Sequence, residues 1–428
     1  MRRIRAKLRE WSLDRRLARN VSSLYGVQFA NYLLPLITIP YLTRVLGLAT
    51  WGLVAFAQAF GAYVAIGIGY GFDLSATREV AKNRHSKAEL ANLLAGVMGA
   101  KLLLAAGAVV LAFLIEPWVP LFHSHPVFLW AAVFWAVAQS SSMVWYYQGV
   151  ERMRLISAVV VIGRAAATAG IFIIIRHPSD GWKVLALQGA GMLFSFAVAT
   201  VLVYREVPPK LPTWPLVRNS LRMGWSMFVY RSSTSLYGIG NSFILGLFAP
   251  PEAVGLYAGA EKIARALVGL LGPVHNSLYP RLSHLVRHDR PAANRLARFS
   301  MIALSSIGAV LSLATFLGAP WAVRVVLGKG FAPSVPVLQI LAPLPLLIAG
   351  SVTLGILWML PLGLDRQFNK VVMVAGALNL GLAVLLAPKF AQLGVASAEV
   401  VAEAVLTLTL YITLNRRALN PLGSRCDA

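Results

Sequence analysis

Twelve mostly apolar runs, each close to the ~20 residues a helix needs to cross a ~30 Å hydrocarbon core, leave this chain one kind of fold. They lie at about 21–43, 52–72, 92–115, 127–149, 156–175, 184–203, 223–248, 255–279, 299–318, 337–362, 371–387 and 393–414. Of the 428 residues, 58% are hydrophobic and 13% are charged, against about 25% charged in soluble domains. The expectation is an all-α polytopic membrane protein.

The net charge of +23 suggests nucleic acid at first sight, but its distribution points to topology instead. Cytoplasmic loops collect Lys and Arg. Under an alternating threading, 28 of the 39 Lys and Arg fall on one side, 6 on the other and five inside spans. That asymmetry and the even span number place both termini in the cytoplasm, with no nucleic-acid partner. Residues 1–20, MRRIRAKLREWSLDRRLARN, lack a signal peptide's short apolar core and cleavage site. They are expected to lie as a basic lead-in along the anionic inner leaflet. The only cysteine, Cys426, excludes an intrachain disulfide.

Residues 34–84 carry a pattern that returns 203 positions on. Trp51-Gly52-Leu53-Val54-Ala55-Phe56-Ala57-Gln58 aligns with Val254-Gly255-Leu256-Tyr257-Ala258-Gly259-Ala260-Glu261, and Arg78 aligns with Arg281. One offset thus matches a turn, a bend and a basic loop, as expected of two homologous halves. The halves read as 21–203 and 223–414, joined by the proline-rich cytoplasmic segment 204–222 and followed by a tail, 415–428. Proline bends a helix by removing a donor, so Pro35 and Pro40, with Gly238 and Gly240 in the second half, are hinge candidates. Pro343 and Pro345 should break span ten. Gly67-xxx-Gly71 and Gly255-xxx-Gly259 are expected to permit close helix packing.

Charges at membrane depth cost ~2.5–3.5 kcal/mol each on insertion scales and face a partner or water. The cations are Lys101, Arg164, Arg231, Lys262 and Arg265; the acids are Glu261, Glu399 and Glu403. Five cations cannot all be neutralised by three acids, and the surplus suits an anionic substrate. Arginine's planar fork binds two phosphate oxygens at once. Arg231 and Arg265 are the first choices, then Lys101, Arg164 and Lys262. Glu261 and Arg265, four apart on a helix, could instead pair with each other. Glu399 and Glu403 share one helical face, which suits proton or cation coupling, with Glu261 a third candidate.

Signals for chemistry are poor. The six aspartates form no Asp-x-Asp pair, and there is no phosphate-binding Gly-x4-Gly-Lys loop or metal-ligand cluster. His284 and Asp289 have a spacing found in some acyltransferases. No cofactor, metal or catalytic residue is expected.

NYLLPLITIPYLTRVLGLATWGLVAFAQ, followed by GYGFDLSATREVAKNR, resembles the start of Wzx-like O-antigen and polysaccharide flippases. Residues 241–283, NSFILGLFAPPEAVGLYAGAEKIARALVGLLGPVHNSLYPRLS, resemble the start of their second half. These proteins belong to the multidrug/oligosaccharidyl-lipid/polysaccharide superfamily. The resemblance implies two six-helix bundles related by pseudo-two-fold symmetry around a central cavity. It implies a substrate of undecaprenyl-pyrophosphate-linked oligosaccharide, moved outward across the bacterial inner membrane by alternating access. A polysaccharide polymerase and glycosyltransferases are the implied pathway partners. A multidrug or organic-cation exporter of the same superfamily is the alternative, although the cation surplus opposes it. A membrane-embedded glycosyl- or acyltransferase is a further one, and the peptidoglycan-precursor flippase branch would carry two more spans than this length allows.

Overall fold

In a computed structural model, residues 37–235, 240–417 and 419–420 are described. The lead-in 1–20, most of the first expected span, and the hinge candidates Pro35 and Gly238 lie outside them. The described residues form helices and no strand. Eight helical stretches are long and apolar enough to cross a membrane. Without water, a backbone at that depth must satisfy its own N–H and C=O groups, and a helix does so locally.

The chain divides into two compact units, one of residues 1–41 and 60–232, the other of 42–59 and 233–428. These bounds differ from the expected 21–203 and 223–414. Residues 42–59 group with the second unit, and the helix that follows the proline-rich segment groups with the first.

Helix α1 (37–69) is interrupted at Gly47, which takes φ 71°. The first unit continues through α2 (Phe72–Asn83), α3 (Lys87–Ile115), α4 (Pro120–Ser124), α5 (Pro126–Ser140), α6 (Val144–Gly149), α7 (Met153–Ile174), α8 (Gly181–Glu206) and α9 (Trp214–Ser235). Its core gathers Phe72 and Val80 of α2, Leu94 of α3, and Trp145, Tyr146 and Tyr147 of α6. Helices α7 and α8 cross where a Cβ on Gly163 or Gly191 would overlap the other's carbonyl. Small residues bring backbones together where lipid offers no hydrophobic contrast. The outer face of α3 remains apolar and exposed, with Leu102 71% and Leu114 63% accessible, as suits contact with lipid tails. The segment expected as a linker is not free. Only 207–213 is non-helical, and a Cβ on Gly99 of α3 would lie 2.6 Å from Pro212.

The second unit holds α10 (Asn241–Phe248), α11 (Pro251–Gly269), α12 (Gly272–His288), α13 (Arg290–Ala322), α14 (Ser334–Leu341), α15 (Leu344–Val352) and α16 (Asp365–Arg416). The expected break in span ten occurs between α14 and α15, where Pro343 precedes the new helix. Helix α16 is two helices meeting at a kink at Ala391 (φ 44°), just after Pro388. Trp358 is buried, and its Nε1 donates to the Leu419 carbonyl at 2.7 Å.

The packing of α1 on α11 explains why 42–59 belongs here. Gly52 and Gly255, equivalent at the offset of 203, face each other where α1 crosses α11. A Cβ on Gly52 would overlap the Pro251 carbonyl, and one on Gly255 the Leu48 carbonyl. Phe56 stacks on Phe243 nearby, with ring centroids 5.0 Å apart. The glycine pairs divide differently from expectation: Gly71 (φ 69°) packs on Met227 and Gly259 on Leu327, but Gly67 has open space around it. Gly67→Ala should therefore be neutral or stabilising by up to ~1 kcal/mol, the Gly-to-Ala helix difference. Gly255→Ala should destabilise by about 1–3 kcal/mol, as overpacking does. Melting temperatures in detergent check this; equal values for the two variants would contradict the crossing.

Candidate functional site

The second unit buries a polar cluster. Helix α16 carries Asn379 and Glu399 on its two arms, α10 carries Asn241, and α11 carries Tyr257, Glu261 and Arg265. The Arg265 guanidinium donates to Glu399 Oε1 at 2.5 Å, and its Nε lies 3.5 Å from Glu261 Oε1. Glu399 Oε2 accepts from the Tyr257 hydroxyl at 2.5 Å and from Asn241 Nδ2 at 3.3 Å. Asn379 Nδ2 donates to Asn241 Oδ1 at 2.9 Å. Glu399 is only 3% accessible. An isolated carboxylate there would be very costly, and burial is tolerable because donors surround it.

The spacing of Glu261 and Arg265 made their pairing foreseeable. The long-range partner, Glu399, joins from 134 residues on. Arg265, a leading substrate candidate, is thus a clamp between two acids on different helices. Glu399 and Glu403 share a helix face but take different partners. Glu403, 2% accessible, accepts the Ser351 hydroxyl at 2.6 Å and has no cation partner among the described residues. Lys262 is half-buried, with Nζ 3.4 Å from Gln58 Oε1.

The other cations sit in the first unit. Arg231, on α9, is ion-paired with Asp73 of α2, and both side chains are about half exposed. Lys101, on α3, is 7% accessible, donates to the Ser142 carbonyl at 3.4 Å, and lies 5.8 Å from the Trp145 ring centre. The Ser142 carbonyl is available because α5 ends at Ser140 and α6 begins at Val144. Arg164, on α7, lines a cavity of about 340 Å³ with Gln139, Ser142, Ser195 and apolar side chains. The five cations therefore do not form one contiguous cluster within either unit.

Of the hinge candidates, Pro40 lies half-buried inside the helical run of α1, and Gly240 precedes α10, its carbonyl accepting from Ile244 N–H at 2.8 Å. The His284/Asp289 pattern lies at the junction of α12 and α13. Asp289 caps α13 by accepting from Ala292 N–H at 2.9 Å, while His284 stacks on His288 with ring centres 4.2 Å apart. Sequence reasoning missed Asn241, Tyr257 and Asn379. A lone amide inside an apolar run such as VVMVAGALNLGLAVLLA is a signal of helix-to-helix hydrogen bonding.

Residues 17–286 match the family model described as "Polysaccharide biosynthesis protein". The chain belongs to the polysaccharide biosynthesis protein family. A family relative, "Putative O-antigen transporter" of Escherichia coli (strain K12), is 34% identical over 406 residues, covering 94% of this chain and 98% of that one. A protein of the same name from Shigella dysenteriae is 26% identical over 366 residues, covering 85% and 91%. The fold of this family member is shared with solved transporters. Lipid II flippase MurJ in an inward closed conformation superposes with a TM-score of 0.70 at 12% identity, covering 92% of this chain and 87% of that one. An inward-facing multidrug MATE transporter gives 0.67 at 14% identity, covering 94% and 98%.

The clamp generates a test of what holds α11 to α16. Arg265→Met strands two buried acids and should destabilise the protein by about 3–5 kcal/mol. Adding Glu399→Leu should return part of that loss, a non-additivity of about 0.5–3 kcal/mol. Thermal melts of the single and double variants measure both; a single variant as stable as the parent would remove the clamp from the fold's support.

Proposed function

We propose that this protein is a flippase that moves undecaprenyl-pyrophosphate-linked oligosaccharide, an O-antigen or other surface-polysaccharide repeat unit, across the bacterial inner membrane by alternating access. Both termini lie in the cytoplasm, and the two homologous halves form two bundles of six spans each. The observation that carries this reading is the surplus of cations at membrane depth in a chain of the polysaccharide biosynthesis family. The O-antigen transporters among its relatives and the flippase among its structural neighbours support it.

In this reading the pyrophosphate is met by cations able to offer charge. Lys262 has no acid partner among the described residues and Arg231 is half exposed, so these two are the leading contacts. Arg265 holds the second unit's acids in place and presents its remaining edge. Lys101 and Arg164 serve within the first unit. Polymerase and glycosyltransferases supply and consume the lipid-linked sugar.

Transport against a gradient needs a driving ion, and Glu399, Glu403 and Glu261 are its candidates. Glu403 is favoured. Glu399 is saturated by Arg265, Tyr257 and Asn241, and Glu261 lies beside Arg265. The only hydrogen-bond partner of Glu403 among the described residues is the Ser351 hydroxyl, leaving the carboxyl capacity to take up and release a proton or small cation.

In a strain lacking this gene, completed lipid-linked oligosaccharide should accumulate on the cytoplasmic leaflet and surface polymer should be lost. The Arg231→Ala/Lys262→Gln double variant, present at normal level, should fail to restore export, and Arg231→Lys should be milder. Normal export by that double variant would remove the charge argument. A truncated oligosaccharide would mean a pathway enzyme, and unchanged lipid with altered drug sensitivity an exporter. Glu403→Gln should abolish the dependence of export on the ion gradient while leaving the melting temperature near that of the parent. Retained gradient dependence would assign coupling elsewhere.

A further inference from the structure

The cavity beside Arg164 lies wholly within the first unit, among α5, α6, α7 and α8. Its volume of about 340 Å³ falls within the ~300–1,000 Å³ range of small-molecule sites. Arg164 makes no hydrogen bond or ion pair among the described residues, in contrast to Arg231 and Arg265, which have acids. Its place is fixed by the backbone. It follows Gly163, which touches Gly191 at the closest approach of α7 and α8, and Ser195, one turn beyond Gly191, borders the same cavity. A further wall is the break between α5 and α6, where non-helical backbone is tolerated at membrane depth only if it is covered by protein or lines a cavity. Lys101 of α3 holds that break, its Nζ donating to the Ser142 carbonyl.

The remaining wall is apolar, with Met143, Val160 and Phe196 among its members. The other faces of the same two helices are apolar and open: Ile162 of α7 is 58% accessible and Phe194 of α8 is 51% accessible. Helices with such outer faces stand in hydrocarbon, so the cavity they wall lies at membrane depth. Whatever enters must tolerate the bilayer and bring a negative charge to an arginine. Arg164 lies near the middle of the 22-residue α7, about 16 Å from its start at ~1.5 Å per residue. The charged group is therefore drawn below the plane of the headgroups.

We propose that this cavity is a binding site for the phosphate group of a membrane amphiphile, with Arg164 as its cation, Gln139 and the Ser142 hydroxyl as polar partners, and the apolar wall receiving the start of the chain. The site is separate from the Arg265 cluster; use of Arg164 by the transported lipid rests on the transport reading, whereas lipid occupancy in detergent does not. Two membrane sources share this chemistry, a polyprenyl phosphate and an anionic glycerophospholipid.

The test uses the full chain purified in detergent, with undecaprenyl phosphate, phosphatidylglycerol and uncharged diacylglycerol as probes, read by native mass spectrometry and by melting temperature. At least one phosphate-bearing probe should bind and raise the melting temperature, and diacylglycerol should not; the better of the two identifies the source. Arg164→Gln should weaken that binding ~10-fold or more, the scale of a lost charge-assisted hydrogen bond, and Arg164→Lys should retain part of it. Arg154→Gln, an exposed arginine on the same helix, should bind as the parent does. Without lipid, Arg164→Gln should melt no lower than the parent, because no protein partner is lost. Unchanged binding by Arg164→Gln, equal binding of diacylglycerol, no binding of either phosphate probe, or a lower lipid-free melting temperature would each overturn the proposal.

Discussion

The hydrocarbon core of a membrane supplies neither donors nor acceptors, so every polar atom in it must find its partner inside the protein. That requirement accounts for the unbroken helices of the described residues and for the few places where they break. Among them are those between α5 and α6, between α14 and α15, and at Ala391. At the first, Lys101 takes up the freed Ser142 carbonyl. At the second, Pro343 has no N–H to satisfy. Since lipid tails and side chains are equally apolar, the helices are held by fit, and glycine pairs such as Gly163/Gly191 and Gly52/Gly255 set the crossings.

The same requirement sorts the charged residues. Glu399 is deeply buried yet stable where it lies, because an arginine, a tyrosine and an asparagine converge on it from two other helices. Such a cluster specifies how α10, α11 and α16 associate, since any other arrangement would leave a charge bare. Glu403, one turn on, has a single hydroxyl. Arg164 has no hydrogen-bond or ion-pair partner among the described residues and lines a cavity. Incompletely satisfied charges at membrane depth mark places where something from outside the chain completes the set.

The fold is shared with transporters of quite different cargo, so the fold alone does not select a substrate. What narrows the choice is chemistry and kinship together. A surplus of membrane-depth cations favours anions over organic cations, and the relatives over most of the chain's length bear the name of O-antigen transporters.

Much of this was legible in the sequence, because hydrophobicity and charge act locally. Apolar length dictates helices, and the prolines at 343 and 345 dictate a break. The spacing of Glu261 and Arg265 foretells their contact, since residues four apart share a helix face. Tertiary structure alone decided the rest. Glu399 reaches Arg265 across 134 residues, Asp73 reaches Arg231 across 158, and the two halves' equivalent glycines meet at one crossing. No local pattern encodes these meetings. Each depends on which helix faces which, and packing settles that only when the whole chain has folded.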